Sequence, residues 1–178
     1  LVAQKYELLQ QDILPNLQKE GVRFYPTDEW SPAQRKWAKQ FFDTELVPLL
    51  TPIALDPAHP FPKVINKSLN FFLTLEGKDA FGRSSELAVV QAPRSLPRVV
   101  PIPKELAQSP HGFILLSSFM QAFLPDLFQG MTVTGCHQFR VTRNSDLFVS
   151  EDDITDLRSA LQGELPTRPL GDAVRLEV

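Results

Sequence analysis

The residues that could do chemistry here are three histidines, one cysteine and a short basic run, FRVTRN, at positions 139–144. An imidazole acting as general acid, general base or phosphoryl acceptor needs a carboxylate or hydroxyl to orient it. His59, set in LDPAHPFP, has only Asp56 within local reach. Pro57 and Pro60 stiffen its surroundings, so His59 reads as a loop residue holding a turn, with a catalytic imidazole as the sharper alternative. His111 precedes Gly112 in a loop and suggests no role, while His137 alternates onto an apolar strand face and reads as a core histidine. Neither HxxH nor HExxH occurs, so no histidine-based metal site is expected. The single Cys136 excludes an intrachain disulfide and a cysteine-based zinc cluster, and it suits a reducing cytosol.

Phosphate loops are missing from the sequence as well. It contains neither GxxxxGK[ST] nor GxGxxG, and the glycines of EGKDAFGR lie between two strand patterns. No GxSxG elbow surrounds a serine. The acidic run SEDDITD is explained by helix capping, with a metal site as its alternative. In FRVTRN, Arg140 and Thr142 share a strand face, and Arg143 and Asn144 follow at its end. Planar guanidinium groups capture phosphate or carboxylate bidentately, which makes Arg140, Arg143 and Asn144 the polyanion or interface candidates. The plainer alternative is salt bridging to Asp146, Glu151 and Asp152 just downstream. No catalytic, cofactor-binding or metal-binding residue is expected within the chain.

The elements that would position these groups sit in a chain of 178 residues, 43% hydrophobic and 22% charged, enough for one soluble domain with a core. A net charge of -3 and a pI near 5.6 argue against nonspecific nucleic-acid binding. No apolar run approaches the roughly 20 residues a bilayer span needs, and no signal-peptide pattern opens the chain. The apolar residues at both ends suggest a piece of a longer polypeptide.

Residues 1–20 read as a helix through Leu9, Ile13 and Leu17, with Gly21 as its stop and Pro15 as a bend. VRF at 22–24 reads as an extended link. WSPAQRKWAKQFFDTEL has the clearest helix start, with Ser31 as N-cap, Pro32 at N1 and Gln34 completing a capping box. Ala33, Trp37 and Phe41 are expected to form its apolar stripe beside Ala38 and Phe42, and Pro48 to end it. Leu69, Phe71, Leu73 and Leu75 share one face of a strand, and ELAVVQAP is its antiparallel partner. Pro93 to Pro103 reads as extended, and a short helix from about Ser118 stops at Gly130. MTVTGCHQFRVTR is the longest strand signal, with Val133, His137, Phe139 and Val141 on one face. DLFV could return as a hairpin partner. Ser150 then caps a helix carrying Ile154, Leu157 and Leu161, with Asp153 at N3 and Gly163 as its stop, and AVRLEV is a half-buried last strand.

Strands in the middle and helices at both ends indicate an α+β fold, a mixed, largely antiparallel sheet packed with helices and preceded by an N-terminal helical segment. Residues 1–24 are expected to end a preceding helical domain, and residues 25–178 to form the domain proper.

Three stretches, VPLLTPIALDPAHPFPKVINKSLNFFLTL, FQGMTVTGCHQFRVTRNSDLFVSEDDITDL and GDAVRLEV, resemble the middle, or head, region of bacterial-type polyphosphate kinases. The opening LLQQDILPNLQKEGVRF resembles the last helical segment leading out of that family's N-terminal domain. The chain departs from the family pattern at Cys136 and His137. The resemblance implies a parent enzyme that reversibly transfers the terminal phosphate of ATP to inorganic polyphosphate, with magnesium and a phosphohistidine on C-terminal domains absent from this sequence. It implies a cytoplasmic homodimer or homotetramer, with some members at the membrane, and a middle domain that contacts catalytic domains of its own and the neighbouring subunit.

Three functions follow. One is a scaffold and subunit-contact domain, its proline run from Pro48 to Pro62 bracing the capped helix against the sheet. Another is a polyphosphate- or nucleotide-binding module using Arg140 and Arg143, with Arg94 and Arg98 as further candidates. The third is a small enzyme centred on His59.

Overall fold

Two helices widen immediately ahead of a proline. In the computed structural model, which describes residues 1–56, 61–78, 82, 86–144 and 171–178, α1 (Val2–Leu8) passes through a π-helical turn (Leu9–Ile13) into α2 (Leu14–Lys19), which carries Pro15. After β1 (Val22–Phe24) and a 3₁₀ turn, α3 (Pro32–Phe41) enters a second π-helical turn (Phe42–Leu46), followed by a 3₁₀ turn holding Pro48 (Val47–Leu49). A proline ring presses on the carbonyl four residues back and has no N–H for it. Those carbonyls belong to Gln11 and Thr44, the central residues of the two π turns. The residue before each proline bonds five back instead of four, Leu14 N–H to Leu9 O and Val47 N–H to Phe42 O.

The remaining elements are β2 (Pro52–Ala54), β3 (Asn70–Gly77), β4 (Leu87–Gln91), β5 (Val99–Pro101), β6 (His111–Leu115), α4 (Leu116–Phe123), a 3₁₀ turn (Leu124–Leu127), β7 (Met131–Arg143) and β8 (Ala173–Glu177). They fall into two units, Leu1–Leu49 with Pro93–Leu127, and Leu50–Ala92 with Phe128–Val178. The class is α+β, as expected.

The first unit holds a three-stranded sheet in the order β1-β6-β5, parallel between β1 and β6 and antiparallel between β6 and β5. VRF is therefore a paired strand rather than a link; three residues carry too little pattern to reveal a partner near residue 112. Gly21, at φ +82°, ends α2 as expected. The capping box of α3 is present: Gln34 N–H donates to Ser31 Oγ at 3.2 Å, and Ser31 N–H donates to Gln34 Oε1 at 2.8 Å. The buried line of this helix runs through Gln34, Ala38, Phe42 and Leu46, while Ala33 is exposed and Trp37 and Phe41 flank it. The expected stripe is thus off by one position. Gln34 can occupy the buried line because its Nε2 donates to Leu106 O at 2.9 Å, so no amide group is stranded. Trp30, Trp37, Phe41, Phe42, Phe119 and Phe123 pack as neighbouring rings 5.0–6.1 Å apart.

The second unit is a five-stranded sheet in the order β2-β4-β3-β7-β8, antiparallel at every pairing. Phe71, Leu73 and Leu75 are buried on one face of β3 with Ala88 and Val90 of β4. Val64, Val89, Phe139 and Val141 form a cluster on the other, joined by Leu55 and Phe72. The register slips between Thr74 and Leu75, which pair with Gly135 and Val133 and leave Thr134 as the extra residue of a bulge. Val133 therefore sits apart from the His137–Phe139–Val141 face expected to include it. Gly135 is required here, because a Cβ would lie 2.7 Å from Thr74 Oγ1. His137 is exposed, not a core histidine. His111 lies in β6 rather than a loop. Val174 and Leu176 of β8 are 63% and 64% exposed instead of half-buried. β2 was not foreseen; Pro52 opens it at the other edge, where a missing N–H is tolerated. His59, Pro57 and Pro60, the DLFV hairpin partner and the helix capped by Ser150 lie outside the described residues.

Candidate functional site

The polar groups named from sequence converge where the end of β7 meets β8 and the turn before β3. That turn, Ile65–Ser68, places Lys67 at φ +57° and is closed by Ser68, whose N–H and Oγ both donate to Ile65 O, at 3.2 and 2.7 Å. Lys67 N–H donates to Val141 O at 2.8 Å, pinning the turn to β7. Asn70 Nδ2 reaches back to Ser68 O at 2.9 Å and to Ser68 Oγ at 3.2 Å, and both side chains are buried.

Arg143 joins three segments. Its backbone N–H donates to Asn66 Oδ1 at 2.9 Å, its Nε to Val64 O at 2.9 Å, and a terminal nitrogen to Gly171 O at 2.8 Å. Asn144 N–H donates to Asp172 O at 2.7 Å. This half-buried guanidinium holds backbone carbonyls on both sides of the β7 end.

Arg140 lies directly opposite Glu177 in the β7–β8 register. Both its Nε and a terminal nitrogen donate to Glu177 Oε2, and Arg175 Nε meets Glu177 Oε1 at 3.3 Å. One carboxylate thus sits between two guanidinium groups on the exposed sheet face. Such cross-strand pairs fix register more than they add stability. The structure brings Arg140, Arg143 and Asn144 together at one strand end. Glu177, Asn66 and Arg175 were missed from sequence, since only the β7–β8 pairing and the turn geometry bring them in. The expected partners Asp146, Glu151 and Asp152 lie outside the described residues.

Other groups are quieter. Burial raises the Cys136 thiol above its ordinary pKa, which keeps it protonated and a poor nucleophile. A shallow groove of about 510 Å³ beside the bulge is lined by Thr74, Glu76, Glu86 and Thr134. Among the described residues no group of three or more His, Cys, Asp or Glu could hold a metal ion, and no helix is long and apolar enough to cross a membrane.

The pattern of the polyphosphate kinase middle domain matches residues 33–178. The chain belongs to the polyphosphate kinase middle-domain family. Over all 178 residues it is 60% identical to a polyphosphate kinase of Burkholderia multivorans and 59% identical to one of Paraburkholderia phytofirmans, and it spans 26% of the length of each. Its fold is similar to the crystal structure of polyphosphate kinase from Porphyromonas gingivalis, with a TM-score of 0.70 over 92% of this chain and 27% of that one, at 20% identity. The matched range begins at the second residue of α3 and includes the Arg143 clamp. Helices α1 and α2 and strand β1 precede it.

Proposed function

We propose that this chain is the scaffolding and subunit-contact part of a polyphosphate kinase, whose catalytic groups lie elsewhere in the polypeptide. The parent reaction in this reading moves the terminal phosphate of ATP reversibly onto inorganic polyphosphate, with magnesium. ATP and magnesium act at the parent's catalytic domains, and the working form is a cytoplasmic homo-oligomer, with membrane association in some settings.

The observation that carries the reading is apolar surface left uncovered in two places. Val2, Tyr6, Leu9 and Ile13 follow one another at spacings of four, three and four along one helix stripe, and Tyr6 is 56% exposed. Scattered exposed apolar residues are ordinary. A stripe sustained over three turns is the pattern of a helix–helix contact. Strand β8, the last in the order of the described strands, adds Val174 and Leu176. Because the stripe precedes residue 33, where the family match begins, residues 1–24 fit the end of a preceding helical domain and residues 25–178 the middle domain.

The full-length protein tests this. Tyr6→Asp with Leu9→Asp, and separately Leu176→Lys, should reduce assembly by light scattering, with a matching fall in polyphosphate synthesis. The 178-residue chain incubated with labelled ATP and magnesium should gain no acid-labile phosphate. Unchanged mass and activity in both variants would refute the contact role, and a phosphorylated isolated chain would refute the division of labour.

A further inference from the structure

Helix α2 and strand β1, both in the first unit, are joined without slack. The helix ends at Lys19 and the strand begins at Val22, so only Glu20 and Gly21 lie between them. Both are held. Glu20 N–H donates to Asn16 O at 3.2 Å, Gly21 N–H donates to Gln18 O at 3.1 Å, and Gly21 O accepts the His111 N–H at 3.0 Å. Glycine has more backbone freedom to lose than any other residue, yet this one is fixed at φ +82°. It also lies against the ring of Pro110, where a Cβ on Gly21 would come within 3.1 Å of Pro110 Cγ and 3.2 Å of Pro110 Cδ.

Each side of this joint is stiff in turn. Strand β1 pairs in parallel with β6, Val22 opposite His111 and Phe24 opposite Phe113, and Tyr25 N–H continues the ladder to Phe113 O at 2.9 Å. Tyr25 is buried, and its hydroxyl accepts the Gln108 N–H at 2.9 Å. On the other side, Leu14 N–H bonds to Leu9 O across the π turn. Residues 2–19 therefore carry their hydrogen bonding past Pro15 and extend about 27 Å at 1.5 Å per residue. Only Leu14, Pro15 and Leu17 of this stretch are half-buried, and α1 is exposed throughout. A tether needs neither the left-handed turn at Gly21 nor the bond from His111; an arm that must keep one direction needs both.

We propose that residues 2–19 are a rigid arm clamped to the three-stranded sheet at Gly21, and that this joint holds the preceding helical domain at the angle the parent enzyme needs for turnover. The role rests on residues 1–24 ending such a domain, as proposed above, and makes their attachment a working part of the enzyme. It does not depend on the subunit contact, since the joint is complete within one chain.

The joint is tested in the full-length protein by inserting Gly-Ser-Gly-Ser between Glu20 and Gly21, which frees the arm and leaves the bonds of Gly21 O, β1 and Tyr25 in place. Spin labels at Glu7→Cys and Lys36→Cys, both exposed positions, in a background free of other cysteines, report the distance from α1 to α3 by pulsed electron resonance. The distribution should be narrow without the insertion and severalfold broader with it. The kcat for polyphosphate synthesis should fall about tenfold or more, because small misplacements of a positioned group are costly. The melting temperature should move by less than about 2 °C, and the mass by light scattering should not change, because the middle domain and the α1 stripe are intact. Gly21→Ala, at a φ that alanine rarely adopts, should shift the mean distance and lower kcat in the same direction. A broad distribution without the insertion, a narrow one with it, or a broadened one with undiminished kcat would overturn the proposal. So would a fall in kcat accompanied by lost assembly, since the insertion would then be acting through the subunit contact. That contact is decided separately by Tyr6→Asp with Leu9→Asp, which leaves the joint unaltered.

Discussion

Arg143→Met separates a structural clamp from a ligand-binding arginine. Methionine keeps most of the apolar stem and removes every side-chain donor. The variant loses the bonds to Val64 O at 2.9 Å and Gly171 O at 2.8 Å but keeps the backbone N–H bond to Asn66 Oδ1. Hydrogen bonds from a charged donor contribute about 1.5–3 kcal/mol each when buried. This side chain is half-buried, so the lower end applies and the pair sums to about 3 kcal/mol. At roughly 2–4 °C per kcal/mol for a chain of this size, the melting temperature should fall by about 6–12 °C. Circular dichroism on heating, with a urea midpoint as a second measure, reads this directly. Asn66→Ala should cost about 1 kcal/mol alone. Combined with Arg143→Met it should fall short of additivity, because both side chains pin the same turn to β7. A melting temperature lowered by less than about 2 °C would show that the clamp is incidental.

Three further outcomes follow from the same structure. Gln34→Leu, which breaks the capping box and the bond to Leu106 O, should destabilise by about 2–3 kcal/mol in urea unfolding; a neutral result would mean that packing alone seats this helix. Gly135→Ala should cost about 1–3 kcal/mol by overpacking against Thr74 Oγ1, 2.7 Å from the new carbon, and Thr74→Ala in the same chain should recover most of it, with no recovery refuting that contact as the cause. Lys39 is held by Asp43 at 2.5 Å and Asp126 at 3.2 Å, and its ammonium pKa is raised above 10.5, chiefly by the Asp43 hydrogen bond. The charged form is favoured in the folded state, so its contribution is complete below pH 10.5 and fades as pH rises through the higher folded value; Lys39→Gln should flatten the fall of melting temperature in that range, and parallel curves would refute the linkage.

What the sequence revealed correctly was local. The Ser31–Gln34 box, the glycine stop at Gly21 and the alternation through Phe71, Leu73 and Leu75 each depend on residues within a few positions of one another, and each is present. What it hid depends on distant pairing. VRF and Pro52–Ala54 become strands only because β6 and β4 lie beside them. The bulge at Thr134 reverses the alternation of β7 midway, so the period-two pattern that places Phe139 and Val141 misplaces Val133. The site followed the same division. The run FRVTRN marked Arg140, Arg143 and Asn144 as a cluster at a strand end. Their partners Glu177, Gly171 and Asn66 lie between 28 and 77 residues away and could not be read off the spacing.

The prolines give the same lesson a mechanism. Pro15 and Pro48 each follow a π-helical turn centred on the residue whose carbonyl they would otherwise crowd, and Pro52 opens an edge strand. All three occupy positions where the missing N–H leaves no required bond unmade. Their fixed φ therefore restricts the unfolded chain without a matching native penalty. The stiffness of the segment beginning at Pro48 is thus compatible with the fold at Pro48 and Pro52. The imposed geometry shows instead in the neighbouring backbone, as two widened helical turns that a reading based on helix period alone takes for ordinary α-helix.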